Sequence, residues 1–349
     1  MSRLVEKAKS EGIESAIKLL ANRGIRTVRN WKPVWTPRRS YISLDSVEIE
    51  EPVFFLGTQG GGLTLISRMI RRSDKFAIIG GSTSFWTGND EMDKFYVGHG
   101  VLPDEMALRS PRYNNMTGRE ENHPVFGLER GWVYATDELL PRYRMTKDDY
   151  SDTLERKFKN FIRRSIRAYS SNGWSARFLD MSQSYTLKVP LLRTFFPQAR
   201  FVLVTRNPYV MCWREVTRQP DEKYRLWNKR PSMEEGLRLA AQHWRNSYRT
   251  ALQDLEGHDD GIVVRFEDAL SDPNGVVQRI ADHIGVAYDE DMIPKPYHIL
   301  PVGSKAMEKW YPIRKNANKK YKKNITKRAK KIIKRSLKKI GKKFGYNNL

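Results

Sequence analysis

The sequence predicts an α/β fold in which a mostly parallel sheet carries helices on both faces. Short apolar runs of the kind that form buried strands alternate with stretches whose apolar residues recur at helical spacing. The first such strand and helix are joined by a glycine-rich loop at residues 57–64. A chain of 349 residues, 39% of them hydrophobic, is long enough to bury one large core of this kind.

The predicted elements follow one another in a regular order. The first strand is the apolar run from Val53 to Leu56, bounded by Pro52 and Gly57, and the helix after it covers 64–72. The same reasoning predicts further strands at 76–79, 176–179, 200–205 and 262–266. It predicts further helices at 151–170, about 185–195, 208–217, 233–255 and 274–284. This alternation is typical of parallel strands connected by helices.

The stretch from 82 to about 150 interrupts the alternation. It is rich in Gly, Asn, Pro and aromatic residues and has weak periodicity, so we predict an insertion or a set of long loops. The predicted organisation is a basic N-terminal arm at 1–39, an α/β domain at 40–302 that includes the insertion, and a basic segment at 303–349 that closes the domain.

The net charge of +23 is confined to the two ends of the chain. Residues 1–39 carry +7, residues 303–349 carry +17, and residues 40–302 carry −1. The N-terminal arm has the pattern of an amphipathic helix, and residues 323–344 repeat apolar residues at helical spacing among Lys and Arg. Such ends suit an anionic membrane or a polyanionic acceptor, or they are solvated basic faces of packed helices. The neutral centre disfavours nucleic acid as a partner.

Cysteine content and hydropathy favour a cytoplasmic protein. A single cysteine, Cys212, excludes an internal disulfide framework, as is typical of a reducing compartment. No apolar run approaches the roughly 20 residues that span a bilayer, and no secretory signal is legible. The six histidines show no metal-ligand spacing, so no metal is expected.

Residues 57–64 read Gly-Thr-Gln-Gly-Gly-Gly-Leu-Thr between a strand and a helix. Glycines let the backbone approach an anion closely, and the N–H groups that begin the helix point toward it. The spacing is that of the triphosphate-binding loop except that Leu63 replaces its lysine, which counts against kinase or ATPase chemistry. We therefore predict a three-layer P-loop-type sheet whose loop binds an anion through Thr58, Gln59, Gly60, Gly61, Gly62, Leu63 and Thr64. The alternative is a turn that only packs helix against strand.

A second candidate site follows the strand at 200–205. Arg206 lies directly after it, at the carboxyl edge of the sheet, where open α/β folds bind ligands. Arg214 lies two turns into the next helix, and two guanidinium groups can grip a phosphate monoester. Taken alone, the segment also fits a surface arginine followed by an ordinary helix.

These segments resemble the sulfotransferase family that uses 3′-phosphoadenosine 5′-phosphosulfate (PAPS), in particular its carbohydrate-type members. Residues 196–208 match the family's 3′-phosphate segment, F-P-x-A-[RK]-F-[IV]-x-[IVL]-x-R-[ND]-P, and residues 263–268 match a later strand. The glycine loop corresponds to its 5′-phosphosulfate loop, G-x-x-[RK]-S-G-T-T. The resemblance covers roughly 52–346. It implies PAPS as the donor, with Arg206 and Arg214 at the 3′-phosphate.

The chain departs from the family pattern at polar positions. The loop's usual Arg or Lys aligns with Gly60, its serine with Gly61 and its first threonine with Leu63. The serine of the 3′-phosphate segment aligns with Arg214, and a lysine of many carbohydrate-type members aligns with Met181. Two cations usually aimed at the bridging oxygen are therefore missing, which marks a divergent member.

Sulfuryl transfer needs a proton acceptor for the attacking group and stabilisation of charge on the leaving phosphate. Glu91 is the predicted base, with Asp90 second, because both follow the edge of the second strand. Acids in a polar loop are also commonly solvated or capping groups. Lys188 is the candidate for leaving-group stabilisation, and the alternative is a surface lysine on an amphipathic helix.

The expected function is transfer of a sulfuryl group from PAPS to a hydroxyl or amine of a glycan or glycolipid-like (lipid-linked) acceptor. The basic ends are expected to hold the enzyme on the inner face of a membrane. Two other classes stay open: a non-catalytic nucleotide-binding protein, and a peripheral membrane-binding protein on the same scaffold.

Overall fold

The computed structural model describes residues 13–14, 41–73, 75–77, 106, 108–110, 133–170, 173–217, 232–295, 313–337 and 339–346. Within them, five strands form one sheet in the order β2-β3-β1-β4-β5, and every neighbouring pair is parallel. The strands are β1 Glu50–Leu56, β2 Phe76–Ala77, β3 Arg177–Asp180, β4 Arg200–Thr205 and β5 Gly261–Arg265. The predicted parallel sheet is confirmed.

Helices connect these strands and close the chain. They are α1 Leu63–Ile70, α2 Leu140–Tyr143, α3 Asp152–Tyr169, α4 Val189–Phe195, α5 Pro208–Thr217, α6 Met233–Leu255, α7 Phe266–Ser271, α8 Pro273–Ile284, α9 Lys319–Asn324, α10 Lys327–Leu337 and α11 Ile340–Lys343. Side-chain caps set the starts of the long ones, because Ser151, Ser232 and Asp272 each accept a hydrogen bond from a backbone N–H in the first turn. Gly285, in the left-handed conformation, ends α8.

The helices lie on both faces of the sheet. From β1 to β2 the chain moves toward one edge of the sheet, and from β2 through β3 and β4 to β5 it moves toward the other edge. Because crossovers between parallel strands are right-handed, α1 lies on one face of the sheet and α3 to α6 lie on the other. Packing agrees with this: α8 lies against α1, whereas α3 lies against β2 and β3, and α4 and α5 lie against α6. The predicted three-layer α/β arrangement is therefore confirmed.

The central strands β1 and β4 form the middle of the core and position the candidate site. Residues 53–56 are completely buried, and Phe54 stacks on Phe201 with ring centroids 5.9 Å apart. Leu56, the last residue of β1, pairs with Leu203 of β4. Because the two strands are parallel and adjacent, the glycine loop and Arg206 emerge side by side at the carboxyl edge.

Two stretches differ from the prediction. The helix expected at about 185–195 is a 3-10 turn at Gln183–Leu187 followed by α4, because the chain leaves helical geometry at Lys188 and restarts with Pro190 in the first turn. The basic stretch at 323–344 contains two breaks, so that it belongs to three helices, α9 to α11. Its apolar residues are nevertheless buried in the main core, as their spacing indicates.

Most of the predicted N-terminal arm and most of the insertion at 82–150 lie outside the described residues. The last part of the insertion is described and packs on the domain: Tyr134, Ala135 and Tyr143 form a small apolar cluster with Leu187. The domain boundaries stay predictions. Among the described residues, the structure contains no helix that is both long and apolar enough to cross a membrane.

Candidate functional site

The glycine loop connects β1 to α1 at the carboxyl edge of the sheet. Gly57, Gly60 and Gly62 have positive φ angles of 150°, 76° and 101°, which side-chain-bearing residues rarely adopt. The N–H of Gly61 donates to the carbonyl of Thr58 at 2.9 Å and closes a turn. No acidic side chain lies in the first turn of α1, so its N–H groups face no competing negative charge there.

The loop is packed tightly as well as turned. A Cβ built on Gly62 would lie 2.8 Å from Cγ of Phe266, and one built on Gly61 would lie 2.8 Å from the carbonyl oxygen of Thr58. Cβ atoms do not approach other atoms so closely, so each position requires glycine in this packing. The packing and the anion-binding interpretations of the loop are therefore compatible.

Two buried side chains fix the start of the loop. The hydroxyl of Thr186 accepts a hydrogen bond from the N–H of Gly57 at 2.7 Å and donates to its carbonyl at 3.0 Å. The hydroxyl of Tyr248 donates to the carbonyl of Val204 at 2.9 Å and lies 3.3 Å from the hydroxyl of Thr58. Burial raises the pKa of Tyr248 to about 12, so this phenol stays protonated and remains a donor.

Arg206 connects three parts of the chain. Its Nη1 donates to the carbonyl of Gly60 at 2.8 Å, while Nε and Nη2 both donate to Oδ1 of Asn318, at 2.9 and 2.6 Å. Its guanidinium carbon lies 4.5 Å from the ring centroid of Phe266, a cation–π contact. The side chain is buried, so that Arg206 holds the glycine loop against the C-terminal segment.

Glu267 organises the groups around Arg206. Its Oε1 accepts hydrogen bonds from the N–H of Asn207 at 3.0 Å and from the side-chain amide of Asn318 at 2.6 Å. Its Oε2 accepts from the hydroxyl of Tyr346 at 2.8 Å. Burial and the charge of Glu267 raise the pKa of Tyr346, which keeps its hydroxyl as a donor.

Arg214 reaches the same glycine from α5. A Cβ built on Gly60 would overlap its guanidinium and lie 3.1 Å from Cζ. Arg214 is half-buried, and within the described part of the chain it makes no hydrogen bond or ion pair. The structure therefore brings Arg206, Arg214 and the glycine loop together at Gly60. Their roles at the 3′-phosphate and the 5′-phosphosulfate stay predictions.

The other predicted loop residues have different surroundings. Thr58 and Leu63 are buried, whereas Gln59 and Thr64 are partly exposed. The side-chain amide of Gln183 donates to that of Gln59, which links the loop to the 3-10 turn after β3.

Lys188 lies in the core. It is fully buried, and its Nζ donates to the carbonyl of Ser184 at 2.9 Å. Burial and the nearby charges of Arg144 and Arg109 hold the pKa of Lys188 well below its usual value. The structure thus places this residue in the interior rather than on the surface of a helix, and its role at the leaving group stays a prediction.

The two carboxylates predicted to act as the base, Glu91 and Asp90, lie outside the described residues. One described carboxylate at the sheet edge escaped the sequence analysis. Asp180 ends β3, is buried, and accepts a hydrogen bond from the N–H of Ser182 at 2.6 Å. Burial raises its pKa to about 6. Its position as the last residue of a strand was the only signal in the sequence.

Glu267 and Asn318 also belong to the site but were not chosen as site residues. Glu267 lies in the third segment that resembles the family, which was a usable signal. Asn318 carries no such signal, because it follows a stretch without a recognised motif. Among the described residues, no group of three or more His, Cys, Asp or Glu side chains is arranged to hold a metal ion.

A comparison with solved structures finds similarity to several sulfotransferases. The sulfotransferase domain of the olefin synthase from Synechococcus PCC 7002 is 19% identical with a TM-score of 0.45, over 87% of this chain and 97% of that domain. A sulfotransferase from Mycobacterium tuberculosis H37Rv is 15% identical with a TM-score of 0.45, over 97% and 90% of the two chains. A mouse sulfotransferase in complex with PAP is 10% identical with a TM-score of 0.43, over 86% and 88%.

The family itself is identified by the sequence. A search of curated proteins found no match. The model of the sulfotransferase family matches residues 52–290, which include the glycine loop, β4 and both arginines. This match covers more than half of the chain, and the protein is therefore a sulfotransferase, an enzyme belonging to the sulfotransferase family.

Proposed function

We propose that the enzyme transfers a sulfuryl group from PAPS to a hydroxyl or amine of a glycan or glycolipid-like acceptor. The observation that supports the donor assignment is the convergence of Arg206 and Arg214 on Gly60, in the loop that leads into α1. The loop supplies backbone N–H groups, the arginines supply positive charge, and the loop contains no acidic residue. These groups fit a nucleotide that carries one phosphate on the 3′-oxygen and another on the 5′-oxygen of its ribose.

The reaction makes two demands on this chain. The sulfur forms a bond to the acceptor oxygen or nitrogen and loses its bond to the 5′-phosphate oxygen, which keeps the electron pair, while the acceptor proton passes to a base. The loop amides and an arginine would stabilise the negative charge on the leaving phosphate. We keep Glu91 and Asp90 as the candidates for the base. We also keep Lys188 as the candidate for leaving-group stabilisation; burial lowers its pKa and so penalises its charged form.

The acceptor class rests on the sequence. The segment at 186–190, Thr-Leu-Lys-Val-Pro, resembles the T-L-R-[IV]-P segment of carbohydrate-type members. In the structure Thr186 of this segment holds Gly57 of the donor loop, so the segment borders the candidate site. This resemblance supports a carbohydrate-containing acceptor, a glycan or a glycolipid.

We further propose that the enzyme is cytoplasmic and attaches to an anionic membrane surface through its C-terminal segment. Residues 313–346 contain no acidic residue, and fourteen of their described Lys and Arg side chains are exposed. The apolar face of α10 is already used, because Ala329, Ile333 and Leu337 are buried against the domain. Attachment would therefore depend on charge and not on insertion of this helix.

The donor assignment is tested by nucleotide binding. The product 3′-phosphoadenosine 5′-phosphate (PAP) should bind about 10–150-fold more tightly than AMP, as expected when a charge-assisted contact to the 3′-phosphate contributes about 1.5–3 kcal/mol. Calorimetry on the full chain measures both affinities, and sulfate transfer from labelled PAPS to a panel of glycans and glycolipids tests the acceptor. Equal affinity for PAP and AMP would overturn the assignment of PAPS.

A further inference from the structure

We propose that Arg214 supplies the positive charge that the glycine loop itself lacks, and that it binds the 5′-phosphate end of the donor. This inference rests on the proposed use of PAPS, and it differs from the expectation that Arg214 serves the 3′-phosphate. The inference rests on one contact: the guanidinium of Arg214 lies directly against Gly60.

The geometry at Gly60 shows that the two positions depend on each other. A side chain on residue 60 would begin in the space that the guanidinium of Arg214 fills, so a larger residue at 60 and this arrangement of Arg214 exclude one another. In the family pattern the loop carries Arg or Lys at the position of Gly60, and a serine at that of Arg214. In this chain the cation reaches the same place from α5, which compensates for its loss from the loop.

Electrostatics favours an anion at this point. The loop sequence at 57–64 contains neither a cation nor an acid, so any positive side chain beside it comes from elsewhere. Arg206 and Arg214 both contact Gly60, and like charges that converge on one residue repel each other. Arg206 is satisfied in part by Asn318, whereas no described residue bonds to the guanidinium of Arg214. An anion held by the loop would pair with Arg214 and relieve this repulsion.

The chemical consequence is a role in the transfer step. When the sulfur–oxygen bond to the 5′-phosphate breaks, the electron pair stays on the phosphate oxygen and the negative charge there grows. A guanidinium at the loop stabilises that charge, as the missing loop cation would. Arg206, held by Gly60 and Asn318, is left to position the loop and to face the 3′-phosphate.

Three nucleotides separate the two possible roles of Arg214: PAP, 5′-AMP and 3′-AMP. Arg214→Ala should weaken 5′-AMP and PAP by about 10–150-fold and leave 3′-AMP within about two-fold. Arg214→Lys should keep most of the 5′-AMP affinity, because it keeps the charge. Arg156→Ala, which removes an exposed arginine of α3, is the matched control and should change none of the three affinities.

The outcomes are distinguishable. If Arg214→Ala weakens 3′-AMP and spares 5′-AMP, Arg214 binds the 3′-phosphate and the inference is wrong. Equal weakening of all three ligands would also overturn it, and thermal unfolding of the variant reports whether that weakening comes from damaged packing. Added guanidinium ion should partly restore 5′-AMP binding to Arg214→Ala, and failure of that rescue counts against the inference. If the wild-type protein binds PAP no more tightly than AMP, the proposed use of PAPS is itself wrong.

Discussion

Asp180 shows at the scale of one residue how the sheet edge perturbs a carboxyl group. The folded protein raises its pKa from 3.8 to about 6 because burial penalises the charged form, although the N–H of Ser182 partly offsets this. The folded state therefore binds this proton more tightly than the unfolded state does. The tighter binding of this proton stabilises the folded protein below about pH 4, and that stabilisation is lost as the pH rises through 6.

The variant Asp180→Asn should remove this pH dependence while keeping an oxygen to accept from Ser182. We expect the stability of the wild type relative to Asp180→Asn to fall by about 2 kcal/mol between pH 4 and pH 7. Denaturant unfolding at both pH values measures the difference. The exposed Asp259→Asn controls for loss of a surface charge. A difference that is constant with pH would show that Asp180 does not titrate in this range.

For single residues of the glycine loop, the sequence motif does not reveal the packing contacts that also require glycine. The pattern assigns Gly62 to the approach of a phosphate, and the structure adds that its missing side chain makes room for Phe266. Any substitution at Gly62 would therefore damage packing together with anion binding. Arg214 is the better residue for a functional test, because it is half-buried and lies on the rim of the loop.

At the scale of elements, the C-terminal segment completes the site through Asn318, which directly precedes α9. The side chain of Asn318 accepts two hydrogen bonds from Arg206 and donates one to Glu267. Asn318→Ala removes two hydrogen bonds from the buried Arg206 and one from Glu267, so we expect a loss of about 1–3 kcal/mol in the free energy of unfolding. We also expect a higher KM for the donor, because the guanidinium of Arg206 is held less firmly against the carbonyl of Gly60.

The neighbouring variant Asn316→Ala is the matched control, since Asn316 is exposed and only its carbonyl makes a recorded hydrogen bond. Chemical denaturation and donor-dependent initial rates compare the two variants. If Asn318→Ala has the stability and KM of the control, the contact between Asn318 and Arg206 does not support the site.

Elements with strong local patterns could be predicted from the sequence, and long-range contacts could not. Strand β4 and helices α5 and α6 begin and end where the apolar pattern and the turn residues place them. Adjacency of the loop and Arg206 followed from parallel strands that share a carboxyl edge. The bond from Arg206 to Asn318 spans 112 positions and has no sequence pattern of its own. The burial of Lys188 was not predicted, because the helix at about 185–195 was expected to be continuous, whereas the chain leaves helical geometry at Lys188.

At the scale of the whole molecule, the charge of the C-terminal segment is separated from the α/β domain in sequence but, in its described part, not in space. The basic C-terminal segment is anchored to the domain at two points: Asn318 accepts hydrogen bonds from Arg206, and Tyr346 donates one to Glu267. Between these anchors its exposed cations are mostly lysines, which act as point charges, whereas arginine is preferred for bidentate recognition of phosphate. Of its described aromatic residues, Phe344 and Tyr346 are buried and only Tyr321 is partly exposed, so this face has no row of aromatic rings on which successive nucleic-acid bases could stack. These features agree with the proposed attachment to a diffuse anionic surface.

The final prediction concerns attachment to such a surface. Replacing Lys327, Lys331 and Lys334, which are exposed on α10, by Gln should weaken binding to phosphatidylserine-containing vesicles by about 100-fold, at about 1 kcal/mol for each lysine. Wild-type binding should fall steeply with salt, because exposed charges are screened. The same change at the exposed Lys147, Arg156 and Lys157 is the matched control. Vesicle co-sedimentation measures the binding, and turnover on a soluble acceptor should stay unchanged in both variants. Salt-independent binding, or equal loss in the control, would contradict electrostatic attachment through this face.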